Sequence, residues 1–226
     1  MAYSVLIERV TIGKMQNPVR GFLHGGAALV SLVGLGALLV QTWGRSAAFT
    51  GALVFGAALV VMYSVSALYH SIPWDPRWKT RLQRLDHSNI YVVVAATFTP
   101  FAIAALEGAR LAAALGIVWG VALIGIALKA LLPSVKTWLS VTLQMVMGWT
   151  AVVWTPDILD RLGWGAVALI ALGGLSYTAG VIVFSTKRPR LRPRTFSYHE
   201  LFHVLVIVGS GLHFLAIAWY ALPAIG

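Results

Sequence analysis

Residues 21–43 read GFLHGGAALVSLVGLGALLVQTW, twenty-three consecutive positions with one ionisable side chain, His24. A bilayer core about 30 Å thick is crossed by roughly 20 apolar residues in a helix, so this stretch reads as a transmembrane span. Six more runs of this kind follow: Ala47–His70, Leu85–Leu106, Leu111–Leu132, Trp138–Trp154, Trp164–Phe184 and His199–Trp219. The fifth is the shortest. The composition agrees, because 226 residues with 59% hydrophobic and 11% charged side chains have too little polar surface for a water-soluble domain. The expected fold is all-α, a polytopic membrane protein with residues 1–226 forming one seven-transmembrane helix bundle behind a short cytoplasmic segment, 1–20. The first eighteen residues mix Glu8, Arg9 and Lys14 with single apolar residues and lack the apolar centre of a cleavable signal peptide, so the first span is expected to be retained.

Orientation follows from Lys and Arg in alternate connections, since loops rich in these residues stay cytoplasmic. Arg9, Lys14, Arg20, Arg77, Lys79, Arg81, Arg84, Lys129, Lys136, Lys187, Arg188, Arg190, Arg192 and Arg194 fall on one side, and only Arg45, Arg110 and Arg161 on the other. The N-terminus is therefore expected inside and the C-terminus outside, in the cell (plasma or inner) membrane. The net charge of +10 is read as topology rather than as a nucleic-acid footprint, because no basic amphipathic helix or RNA-binding motif accompanies it. The run Arg188–Arg194 is read as a positive-inside anchor in preference to an anionic-lipid site. All connections are expected to be short, the longest about 15 residues around Ser71–Leu85 and Ser185–Tyr198, so function must reside in the bundle. Recurrent glycines fit close helix packing, Trp43, Trp74, Trp78, Trp138, Trp154, Trp164 and Trp219 an interfacial belt, and Pro100 a kink in the third span.

Ionisable residues inside spans are functional candidates by default. This topology brings His24, His70, Asp86, His87, His199, Glu200 and His203 to one level near the cytoplasmic side, with His213 about 15 Å deeper along its helix. His199 and His203 lie four apart, on one helical face, a spacing suited to gripping one ion. With no cysteine in the chain, a metal site must be built of nitrogen and oxygen. His70, His199 and His203 would leave the fourth tetrahedral position of Zn²⁺ to water, which Asp86 is placed to hold as general base. Ser66, one turn before His70, is a candidate to orient that histidine or bond an oxyanion, against the plainer reading of a hydroxyl bonded to its own helix. His24 and His87 remain substitutes for His70, and His213 reads as a hydrogen-bonded bundle residue.

The combination Ser66-Ala-Leu-Tyr-His70, Leu85-Asp86 and His199-Glu-Leu-Phe-His203 resembles the hemolysin III family, the bacterial branch of the progestin and adipoQ receptor superfamily that includes adiponectin receptors. Arg20-Gly-Phe-Leu-His24 looks like that family's first-helix opening. The resemblance implies zinc held by His70, His199 and His203, with Asp86 contacting it through water. Alkaline ceramidases are among the relatives, so it also implies a lipid amidase or related hydrolase, with membrane lipids as partners and no nucleic acid.

The competing reading is a non-catalytic zinc-stabilised sensor or receptor in which these residues tie three helices together. A third arises because His199-Glu200-Leu201-Phe202-His203 spells the His-Glu-x-x-His of metalloproteases, in which Glu200 would be the base. Against it, Glu200 lies about 100° around the helix from His199 and is positioned to pair with an arginine of the basic loop. A channel or transporter lacks the midplane charges and broken helices such proteins use, and a haemolytic toxin would need a secretion signal or a polar stripe.

Overall fold

The computed structural model describes residues 15, 17–131, 137–192 and 195–226. Glu8, Arg9, Lys14, Leu132, Lys136 and Arg194, used above, lie outside the described residues, so nothing structural attaches to them. The chain is all-helical: α1 Pro18–Gln41, α2 Ser46–Ser71, α3 Pro76–Ala105, α4 Gly108–Leu131, α5 Thr137–Trp149, a 3₁₀ segment Thr150–Trp154, α6 Thr155–Thr186 and α7 Tyr198–Ala216. The last helix continues through a π turn, Ile217–Ala221, into a final helical turn, Leu222–Ala224. Among the described residues, six helical stretches are long and apolar enough to cross a membrane. The protein is a multi-pass membrane protein of this kind.

The fifth and sixth expected spans fall in one helical stretch, Trp138–Thr186. It is interrupted by the 3₁₀ segment and by Gly163, whose φ of 78° and ψ of 174° break the helix inside α6. A left-handed φ suits glycine, which has no Cβ to clash there. The connection expected around Ser71–Leu85 is corrected: α3 begins at Pro76, so the basic segment Arg77–Arg84 is helical. Asp75 caps it by accepting hydrogen bonds from the backbone of Arg77 and Trp78, and Pro76 fits the first turn, where an amide hydrogen would have no partner. The helix runs on through Pro100, which is buried where α2 passes at Gly51.

Neighbour relations can be read from residue pairs. Arg20 meets Glu200, His24 meets His203, Gly34 faces Phe214, and the Gln41 amide donates to the Ala218 carbonyl; the partners differ by 177–180 in number throughout. A near-constant difference means that α1 and α7 run parallel, side by side. α2 runs antiparallel to α7, since Tyr63 meets Ser210 while His70 meets His203. The Gln41 bond lands inside the π turn, where widened hydrogen-bond spacing disturbs the carbonyl ladder, and Arg45 supplies two more donors to Leu222 and Ile225. α3 is the most enclosed helix, with buried residues from Ser88 to Ala104, and packs against α2, α4, α5 and α6. α1 turns Leu29, Val30, Val33 and Val40 outward, as a lipid-facing surface does.

α6 and α7 cross closely at two glycines. A methyl on Gly173 would collide with the His213 ring and lie 3.2 Å from the Gly209 carbonyl, and one on Gly209 would lie 3.1 Å from the Gly173 carbonyl. Without a hydrophobic force between helices in lipid, such backbone approach supplies much of the association. Gly174, the next residue, has open space around it. Gly173→Ala should destabilise the detergent-solubilised protein by roughly 1–3 kcal/mol, whereas Gly174→Ala should be neutral or slightly stabilising. Thermal unfolding of the two variants measures the contrast, and equal midpoints would exclude the close crossing.

Candidate metal centre

The last turn of α2 and the first two turns of α7 meet at one level. His70 ends α2, while His199 and His203 lie on one face of α7, whose start is fixed by a capping box: Glu200 accepts from the Ser197 backbone amide at 2.8 Å and the Ser197 side chain accepts from the Glu200 amide. One ring nitrogen from each of His70, His199 and His203 lies within 4.8 Å of the others. The His199 and His203 rings stack with centroids 4.9 Å apart, and the His70 ring stands edge-on to both at 5.3 and 5.0 Å. His70 and His203 are buried and His199 is half-buried.

This cluster can hold a metal ion. All three donors are imidazole nitrogens, the chemistry that suits zinc and its divalent neighbours. The Nε2 of His203 is buried without a hydrogen-bond partner among the described residues, which costs free energy unless something occupies that lone pair or proton. The donor set and the orphaned nitrogen both fit a bound cation.

Asp86 is not in the close histidine group. It lies on α3, where Ser66 hydrogen-bonds to its carboxylate. Ser66 is buried one turn before His70 on α2, with its hydroxyl directed to the carboxylate. Half-burial leaves part of Asp86 accessible.

Glu200 does pair with an arginine, but one from α1 in place of the basic loop. Its Oε1 accepts from Arg20 Nε at 2.7 Å, with both side chains buried. Its Oε2 accepts from the Ser197 backbone. Glu200 is thus a helix cap and an interhelical tie. Arg20, counted above as a loop charge, belongs to the first turn of α1. Its spacing signalled this: Arg20 precedes His24 by one turn, as Glu200 precedes His203 by nearly one.

His24 is brought to the cluster but not into it. Its Nε2 lies 2.6 Å from Nδ1 of His203, and the two rings are 3.9 Å apart. His87 stays outside the histidine group, and its backbone carbonyl accepts from Gln144. His213 is the hydrogen-bonded bundle residue expected, donating from Nε2 to the Ile170 carbonyl at 3.1 Å. Deeper on the same face of α7, Ser210 joins Tyr63 and Tyr177 through hydroxyl contacts of 2.8 Å each. Sequence reasoning passed over this trio, although Ser210 follows His203, and Tyr63 precedes His70, by two helical turns.

Residues 13–214 match the family described as Haemolysin-III related. The chain is 31% identical to the Hemolysin-3 homolog of Bacillus subtilis (strain 168) over 199 residues, 87% of this chain and 90% of the relative. It is 29% identical to the Hemolysin-3 of Bacillus cereus over 219 residues, 96% and 97% of the two chains. A more distant likeness, 29% over 182 residues covering 73% of this chain and 79% of the relative, is to the Heptahelical transmembrane protein ADIPOR2 of Oryza sativa subsp. japonica. Hydropathy, the histidine cluster and near-full-length similarity therefore agree, and the chain belongs to the haemolysin-III related family within the superfamily of adiponectin receptor-like membrane proteins.

Proposed function

We propose that this protein is a zinc-dependent hydrolase of a lipid amide or ester, built on seven membrane crossings with its metal site near the cytoplasmic side. The observation that carries the reading is the convergence of His70, His199 and His203 on one point, with a serine-held aspartate on the adjoining helix. His70, His199 and His203 would hold zinc. Bound there, it would polarise a carbonyl and make water a better nucleophile near neutral pH.

The chain's own groups supply the remaining roles. Asp86 is the general base, taking a proton from the attacking water onto its carboxylate. The Ser66 hydroxyl donates to that carboxylate and holds its orientation. A substrate would enter sideways from the lipid, since its acyl chains already lie in the phase that surrounds α1 to α7.

Seven crossings are supported by the interrupted stretch. The 13 residues of α5 and the 5 of the 3₁₀ segment extend together about 30 Å, one bilayer core. The ion pair between Arg110 and Asp157, 2.7 Å, sets the start of α6 beside the start of α4, as a separate crossing by α5 requires. The basic segments Arg77–Arg84 and Lys187–Arg192 flank the histidine level, which favours the cytoplasmic side of the cell membrane. A reporter fused after Gly226 should then report the outside and one inserted near Pro189 the inside. Reversal of both would turn the site over.

Purified protein should carry about one zinc per chain by elemental analysis, with His70→Ala, His199→Ala and His203→Ala each losing most of it. Substoichiometric metal in every preparation would remove the metal reading. Asp86→Asn should keep zinc and fold but lose hydrolysis of a fluorogenic ceramide or acyl amide by about 100-fold. Glu200→Gln should behave differently, because it replaces one charge of a buried ion pair with a neutral amide. It should lower stability by about 3–5 kcal/mol while folded molecules still turn over. Wild-type protein with full zinc and no turnover on lipid substrates would shift the assignment to a zinc-stabilised sensor.

A further inference from the structure

The contact between His24 and His203 has a chemical direction. His203 Nδ1 is engaged by His24 Nε2 at 2.6 Å, and the nitrogen left over on His203 is the buried, unpartnered Nε2. Two neutral imidazoles can share one hydrogen between these atoms in two ways. If His24 Nε2–H donates, the His203 proton sits on Nε2 and that nitrogen has no lone pair for a cation. If His203 Nδ1–H donates, Nε2 is a free ligand and the His24 proton lies on its own Nδ1, which is buried with no partner among the described residues.

Only the second arrangement lets His203 join His70 and His199 around one ion. Histidine ligands are commonly fixed in this way by an acceptor on their other nitrogen, usually a carboxylate, a carbonyl or water. Here the acceptor is an imidazole from a different helix. We infer that His24 is a positioning residue of the metal centre, accepting the Nδ1 proton of His203 so that His203 presents Nε2 to the cation. This rests on the metal reading above. His24 is itself held in register by the Arg20–Glu200 pair one turn away, which joins the same two helices. It is not a fourth ligand, since none of its nitrogens falls in the group that the other three form.

The test compares His24→Gln with His24→Leu in the full-length protein in detergent. The Gln side-chain carbonyl can accept from His203 Nδ1–H, whereas Leu fills a similar volume and accepts nothing. Zinc affinity is read by chelator competition, and the visible spectrum after cobalt(II) substitution reports the number and type of ligands. His24→Leu should weaken zinc binding by about 10- to 100-fold with the shape of the cobalt spectrum retained, and His24→Gln should return affinity to within a few-fold of wild type. Should His24→Leu fail to fold, the Gln variant decides by itself: near-wild-type affinity supports the role, and a loss of 10-fold or more overturns it. Unchanged affinity in a folded His24→Leu protein overturns it too, as does a cobalt spectrum that has lost a ligand, which would make His24 part of the coordination shell. Wild-type protein that binds neither zinc nor cobalt removes the metal reading itself, an outcome separate from every result on the variants.

Discussion

Hydrocarbon offers a polar side chain no water, so each ionisable group inside this bundle must be matched by another part of the protein. The Arg20–Glu200 pair is where that demand is sharpest, because two full charges are buried together. Their contact fixes the depth and the rotation of α1 against α7. With both set, His24 meets His203 one turn further on, and α7 presents its remaining histidine face to α2. Ser197, which binds the other Glu200 oxygen, ties the same carboxylate to the helix start. A single acidic side chain thus couples the entry of the chain into α7, the α1–α7 contact and the position of two candidate ligands.

The polar residues sort into layers along α7. His199 and His203 face the candidate metal point, and Ser210 and His213 lie one layer deeper, bonded to Tyr63, Tyr177 and the Ile170 carbonyl. The deeper layer bonds within the bundle and specifies helix rotation. The upper layer instead brings three imidazole nitrogens to one point, and that convergence separates it from the deeper layer.

Much of this was legible in the sequence, and the omissions have physical reasons. Apolar runs located α1, α2, α4 and α7 because hydropathy responds to the same transfer free energy that inserts helices. The early start of α3 was missed because a basic segment scores as loop, although Asp75 followed by Pro76 carried the capping signal. The break at Gly163 and the π turn depend on tertiary packing, which leaves a faint trace in local pattern. His70, His199 and His203 were legible from spacing and depth. The bond from Ser66 to Asp86 and that from His24 to His203 were not, because they are relations between helices, and a sequence gives the face of a helix before it gives its neighbour.

The parallel pairing of α1 with α7 bears on biogenesis. Its contacts join residues 177–180 positions apart, so the first helix delivered to the membrane waits beside a vacant flank until the last one is synthesised. Until then the Arg20–Glu200 pair cannot form, and two of the three clustered histidines do not yet exist. A chain stalled or cleaved before α7 would retain most of its hydrophobic bulk but neither the buried ion pair nor the histidine cluster. Assembly of the histidine cluster therefore coincides with the docking of the last helix, and the newborn chain gains its site only at the step that closes its bundle.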